Sequence, residues 1–207
     1  MSKNSRLRFA TLGIAGALAL AAPAANATIT SQLDFSNASS VTNFGTVTID
    51  IVGGVATVTF DANNGFLFVD GGVADLNVNG TISNVTFISA TPGLAANQNF
   101  AFTGAGQVDG LGQFNLTTTI GNASVGQDII KYSFTTNQTE ATLLAANASG
   151  FDAAAHVLIP NCTGDACTIF VGETAGGTRV PEPASLALFG TALAGLGLLR
   201  RRRRTHA

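Results

Sequence analysis

The amino-acid sequence predicts an all-β fold, an antiparallel β-sandwich-like exported domain flanked by a cleavable signal peptide and a single short C-terminal transmembrane helix. Three observations carry that expectation. Runs such as Thr46-Val47-Thr48-Ile49-Asp50-Ile51-Val52 alternate apolar and polar side chains, which puts one face of a half-buried sheet against a core. Gly, Asn and Asp stop these runs roughly every 8–12 residues, the rhythm of short strands in a sandwich. The two ends differ from the middle, each holding an uncharged apolar run with basic residues beside it. A stacked solenoid would need a fixed period, and none is visible.

Lys3, Arg6 and Arg8 precede an apolar run from Phe9 to Ala22, and Ala25-Asn26-Ala27 supplies the small side chains that signal peptidase reads. Residues 1–27 are therefore expected to be removed after Ala27, once the general secretion machinery has moved the chain across a membrane. Arg6 and Arg8 are not adjacent, so the twin-arginine route is not indicated. The expected exported domain covers 28–171. Its clearest hairpin runs from Thr46 to Val52, turns at Gly53-Gly54, and returns from Val55 to Phe60. Asp61-Ala62-Asn63-Asn64-Gly65 turns into Phe66–Val69, which Asp70-Gly71-Gly72 ends. Further strands are expected at Ile82–Ser89, Asn99–Thr103, Gln113–Ile120, Ile129–Thr135 and Thr168–Val171. Ala141–Leu158 is ambiguous: two short helical turns around Gly150, or a buried strand from Ala153 to Ile159 whose small residues allow close sheet packing. Residues 172–179, Gly-rich and without apolar pattern, read as a flexible linker.

Charge and cysteine narrow the function classes. The whole chain carries −2, but residues 28–179 hold only Lys131 and Arg179 against eleven carboxylates, a formal net charge of −9. Such a surface repels nucleic acid, which is excluded as a partner, and repels anionic polysaccharide unless divalent cations bridge the two. Cys162 and Cys167 are the only cysteines, and after export a pair around a Gly-containing loop is most simply a disulfide. The small loop makes it a local staple.

Catalytic groups are sparse. His206 lies in the tail, so only His156 could serve a nucleophile–His–acid arrangement, and its Ala/Val surroundings suit a structural residue better. Asn122-Ala123-Ser124-Val125-Gly126 lacks the first glycine of a nucleophile elbow and reads as a turn. Nothing selects a carboxylate pair for hydrolysis. No catalytic residue is assigned and the chain is expected not to be an enzyme. Calcium is the small ligand considered: Asp61, Asn63, Asp70 and Asp75 lie in two neighbouring acidic turns that could form one oxygen-rich site, although no Glu closes the loop and two ordinary turns explain the same residues. With no Trp and only Tyr132, stacking platforms for sugars are scarce.

The last segment is the most informative. Pro181-Glu182-Pro183 is followed by an uncharged run from Ala184 to Leu199 and then by Arg200, Arg201, Arg202, Arg203 and Arg204. As a helix the apolar run spans about 24 Å, short of the roughly 30 Å of a hydrocarbon core. The arginines stop it at the cytoplasmic face, leaving residues before Pro181 outside. The prolines keep the preceding residues extended and off the helix. An ordinary tail anchor would share the helix and the arginines but has no need of Pro-Glu-Pro. Residues 180–204 resemble the PEP-CTERM sorting signal of Gram-negative bacteria. The resemblance implies recognition at Pro181, Glu182 and Pro183 by an exosortase-type membrane transpeptidase, and transient C-terminal anchoring followed by display at the cell surface or outside the cell. It also implies an association with exopolysaccharide. Two functions follow as expectations: a non-catalytic structural or interaction protein of the cell surface or extracellular matrix, linked to polysaccharide or biofilm; or a secreted carbohydrate-active hydrolase or carbohydrate/calcium-binding module carrying the same tail.

Overall fold

The computed structural model describes residues 28–39, 42–63, 65–121, 125–162, 167–174 and 179–180. The signal peptide with Ala25 and Ala27, the turn at Asn122-Ala123-Ser124, and the tail from Pro181 through its helix to Arg204 lie outside the described residues. No helix among the described residues is long and apolar enough to cross a membrane.

Among the described residues thirteen strands occur in chain order: β1 (Thr28–Leu33), β2 (Phe35–Ser36), β3 (Gly45–Val52), β4 (Val55–Ala62), β5 (Leu67–Phe68), β6 (Asp75–Leu76), β7 (Ile82–Thr91), β8 (Ala101–Val108), β9 (Gly112–Thr119), β10 (Ile129–Thr136), β11 (Phe151–Leu158), β12 (Thr168–Thr174) and β13 (Arg179–Val180). They form two antiparallel sheets. The first runs β13-β1-β3-β4-β10-β7, the second β2-β12-β11-β6-β9-β8, with β5 also paired to β11. The sandwich-like, all-β expectation therefore holds.

The β3–β4 hairpin forms as its sequence dictates. Gly53 and Gly54 take φ of 60° and 80°, positive values that a tight two-residue hairpin turn requires at both positions. The turn fixes the register Val52↔Val55, so Val47, Ile49, Val58 and Phe60 all face inward and are fully buried. Between the sheets these residues meet Leu33, Phe44, Phe68, Leu76, Leu116, Ile130, Tyr132 and Val157 in one core. Phe60 sits edge-on to Phe68, with ring centroids 5.9 Å apart, and 6.5 Å from Tyr132.

Within the ambiguous segment Ala141–Leu158, residues Phe151–Leu158 form a strand and 141–150 form turns and irregular backbone. β11 pairs with β12 on one side and with β5 and β6 on the other. Ala153, Ala154 and Ala155 are all completely buried because both faces of the strand are covered: Ala153 and Ala155 face the main core, and Ala154 faces a second cluster of Val108, Leu111, Phe114 and Phe151. Alanine has the highest helix propensity of any residue, but here sheet pairing and two-sided burial override it.

Two boundaries differ from expectation. β12 continues through Gly172 and Glu173 to Thr174, and Arg179–Val180 pair with β1, so the expected flexible linker of 172–179 is corrected at both of its ends. A Cβ on Gly172 would come 3.0 Å from the Phe151 ring, so a close crossing of side chain over backbone keeps this glycine in the strand. Residues 175–178 lie outside the described residues. β1, β2 and β6 were not foreseen, and Phe66–Val69 contracts to the two residues of β5. Cys162 and Cys167 form the expected disulfide, their Cα atoms 5.4 Å apart, just before β12.

Phe60→Ala should destabilise the mature chain by about 3–5 kcal/mol, because it opens a cavity where three aromatic rings meet. Urea denaturation followed by circular dichroism checks this.

Candidate functional site

The three glycines Gly71, Gly72 and Gly106 and four threonines surround a cavity of about 280 Å³ on the second sheet, with Phe170 and Asp75 in its wall. Local backbone geometry explains its position. The chain between β5 and β6 crosses over β9 and β11: the amide of Gly72 donates to the carbonyl of Thr118 at 2.9 Å, and the His156 amide donates to the carbonyl of Gly72 at 2.7 Å. Gly72 has φ of 72°, and a Cβ there would lie 3.2 Å from both Asp75 Oδ2 and the Phe170 ring. A side chain at 72 would be backbone-strained and would crowd the carboxyl.

Asp75 is fully buried. Its Oδ1 accepts a hydrogen bond from the Thr118 amide at 2.8 Å and lies 3.3 Å from the Thr118 hydroxyl, whose one proton is shared with the Ala74 carbonyl at 3.1 Å. Oδ2 has no partner. Burial pushes the Asp75 pKa up from 3.8 to about 8, against the smaller lowering effect of Thr118. At neutral pH the group is therefore mainly a neutral acid, and with Oδ1 taken by the Thr118 amide and Oδ2 without a partner, the proton belongs on Oδ2. The cavity wall thus holds one O–H donor without an acceptor, beside Phe170 and the hydroxyls of Thr103 and Thr117, which bond each other at 2.6 Å. That combination suits a small neutral molecule with an acceptor oxygen.

Asp75 does not serve the alternative of a calcium site built from the two acidic turns. Its carboxyl has left the surface turn for Thr118, and Asn63 donates its amide to Asn43 Oδ1 at 2.6 Å. Asp61 lies within β4, one residue before its end and opposite Thr46, and Asp70 has a φ of 54°. Among the described residues, no three His, Cys, Asp or Glu side chains are grouped to hold a metal. The proposed union of the two acidic turns in one site is corrected accordingly: one of its acids turns into the protein interior.

A carboxyl pair also exists that the sequence did not select. Asp152 lies at a bulge in β11, and Glu173 lies in β12 opposite Ala153; both are buried. Burial first, and the Asp152 charge second, raise the pKa of Glu173, while Ser31 works against the rise. Neither carboxyl lines the cavity. His156 stacks on Phe170 with centroids 4.3 Å apart and planes 17° apart. Burial lowers its pKa, opposed by Asp70 and the Gly71 backbone, so the neutral ring is favoured. Phe170 and the buried carboxyls escaped the sequence reading; the apolar setting Val73-Ala74-Asp75-Leu76 was the available signal that Asp75 faces inward.

The decisive comparison concerns the other end of the fold. β12 is followed by Arg179–Val180 on the β1 edge, and residues 179–204 match the PEP-CTERM protein-sorting motif. The chain carries a PEP-CTERM sorting motif. The motif marks an exosortase substrate, exported and sorted through its C-terminus to the cell surface. Its first two residues are the described strand β13, and Pro181, Glu182, Pro183 and the arginines follow outside the described residues. No curated protein and no solved structure matches the chain.

The raised pKa of Asp75 sets a direction for stability. The folded chain holds a proton that the unfolded chain releases between pH 3.8 and about 8, so this group's contribution is full at low pH and is lost as pH rises through the folded value. Asp75→Asn keeps the acceptor for Thr118 and cannot ionise. Its melting temperature should match wild type near pH 3, below the unfolded value, and exceed it by a margin that grows up to about pH 8. Thermal denaturation across that range checks this, and equal pH slopes for the two proteins would contradict the buried neutral acid.

Proposed function

We propose that the β domain is a non-catalytic structural or interaction module, delivered by its PEP-CTERM motif to the cell surface or the extracellular polysaccharide matrix. The sorting motif at 179–204 carries the reading. Supporting it, the domain between the two processed ends has a formal net charge of −9, set by Lys131 and Arg179 against eleven carboxylates. With Asp75, Asp152 and Glu173 buried, the remaining acids still outnumber the bases, and a negative surface suits cation-bridged association with acidic polymers and resists nonspecific clumping. A glycosidase would need two carboxyl groups flanking a reachable bond. Asp152 and Glu173 are only 5 % and 2 % exposed. His156, packed flat on Phe170, supports a structural role for the ring.

Intact mass and membrane fractionation in the native host test this. Wild type should lose residues from about Pro181 onward and reach the outside of the cell, whereas Pro181→Ala/Glu182→Ala/Pro183→Ala should remain full-length in the membrane. An intact, membrane-bound wild type would reduce the tail to an anchor.

The Asp75 cavity favours a second reading, a binding module for a small neutral ligand such as a sugar unit. Under this reading, neutral monosaccharides raise the melting temperature of wild type near pH 6 and have no effect on Gly72→Leu, whose side chain would crowd Asp75 and Phe170 in the cavity wall. No shift for any monosaccharide would remove it.

A further inference from the structure

The first sheet gathers three features at one rim. Thr28, the first residue after the expected signal-peptide cut, is the Cα partner of Asp50, two residues before the β3–β4 turn. Val180 is the Cα partner of the same Thr28, on its other side. β13 is antiparallel to β1, so the chain reaches Val180 heading out of the sandwich at this rim, and the apolar run Ala184–Leu199 begins four residues later. The signal peptide and the sorting tail, the two apolar segments of the precursor, therefore join the domain side by side. The third feature is the hairpin tip itself. Val52 is 61 % exposed and Val55 43 %, flanking Gly53-Gly54 and projecting past the Thr28–Val180 pair. Val52 is the most exposed large apolar side chain among the described residues.

We propose that this rim faces the membrane while the tail is in place, and that the Val52–Val55 tip is a lipid contact seated in the interfacial layer of a bilayer of zwitterionic headgroups. The place where the chain leaves the structure identifies the occupant. Pro181–Pro183 is too short to move the rim far from the bilayer that receives Ala184–Leu199, so the tip is held within reach of lipid at high local concentration. Two valines on a rigid turn do not hold a free protein on a surface, but they orient a tethered one. Zwitterionic lipid follows from charge: Asp50 stands at the rim, where its Oδ1 accepts the Thr28 hydroxyl at 2.5 Å, and the domain is strongly acidic, which disfavours anionic headgroups. The contact orients the sandwich so that the start of the sorting motif emerges beside the bilayer, and removal of the tail frees the tip to leave it.

This inference rests on the sorting reading, and its test separates the two. The chain has no Trp, so a single introduced indole reports its own depth. Residues 28–207 carrying Val52→Trp, or Thr42→Trp at the opposite end of the sheet, are reconstituted through the tail into phosphatidylcholine vesicles. Brominated lipid should quench the first about twofold or more beyond the second. Because indole itself favours interfaces, wild type is compared too: on vesicles, the amides of residues 52–55 should exchange hydrogen several-fold more slowly than in the tail-cleaved chain, and Val52→Asp/Val55→Asp should abolish the difference. Protein that floats with vesicles but shows equal quenching and unchanged exchange overturns the rim contact and leaves sorting intact. Protein that does not float overturns the anchoring on which both depend.

Discussion

Two-sided coverage of β11 is the constraint from which the rest of the structure follows. Ala153, Ala154 and Ala155 sit where the main core, the second cluster and the flanking strands converge, and all three are completely buried. A larger side chain on either face would push a layer away, because interiors tolerate little extra volume. The same tightness fixes the neighbours. Gly172 is held against the Phe151 ring, and Gly72 lets the β5–β6 connection lie close over Phe170. The cavity, the stacked His156 and the carboxyls of Asp75 and Glu173 are thus by-products of one closely packed strand.

That dependence explains how the sequence could be read. β3, β4 and β10 were legible because each buries one face against the core and shows the other to water, and their alternation records this. β11 leaves no such record: buried on both sides, it reads as a continuous Ala-rich run, and its helix propensity points the wrong way. Gly172-Glu173-Thr174 looked like linker because a glycine and a buried acid carry no apolar signal, yet the backbone continues as strand. Asp75 was read as a surface turn residue because it follows Asp70-Gly71-Gly72, while its environment is set by Thr118, forty-three positions away. Long-range pairing of this kind has no local signature.

Acid distribution in the domain separates two roles. Most carboxylates lie in turns and at strand ends, where water solvates them and the field they create is felt by partners. Asp75 and Glu173, together with the buried Asp152, are exceptions. Burial keeps Asp75 and Glu173 protonated well above the usual carboxylate range, so these two add little to the negative surface at neutral pH. Their energetic effect appears as pH rises: charge must then be accommodated inside a core with few donors to offer it. A domain displayed outside the cell meets whatever pH its surroundings impose, and these two groups make its stability greater on the acidic side.

The sorting motif and the fold meet at β13, and this junction decides how independent they are. A motif read by a membrane enzyme requires of its cargo only an accessible Pro-Glu-Pro next to the bilayer, which is why such a tail says little about what the cargo does. In this chain, however, Arg179 and Val180 belong both to the motif and to the sheet. Pairing with β1 holds Arg179 and Val180 extended, and extended backbone is what a following proline favours in the residue before it, so at Val180 strand and motif ask for the same conformation. The edge of β1 gains a covering strand, and an uncovered edge is an aggregation hazard in an exported β protein. The start of the sorting tail therefore also completes the sheet it leaves.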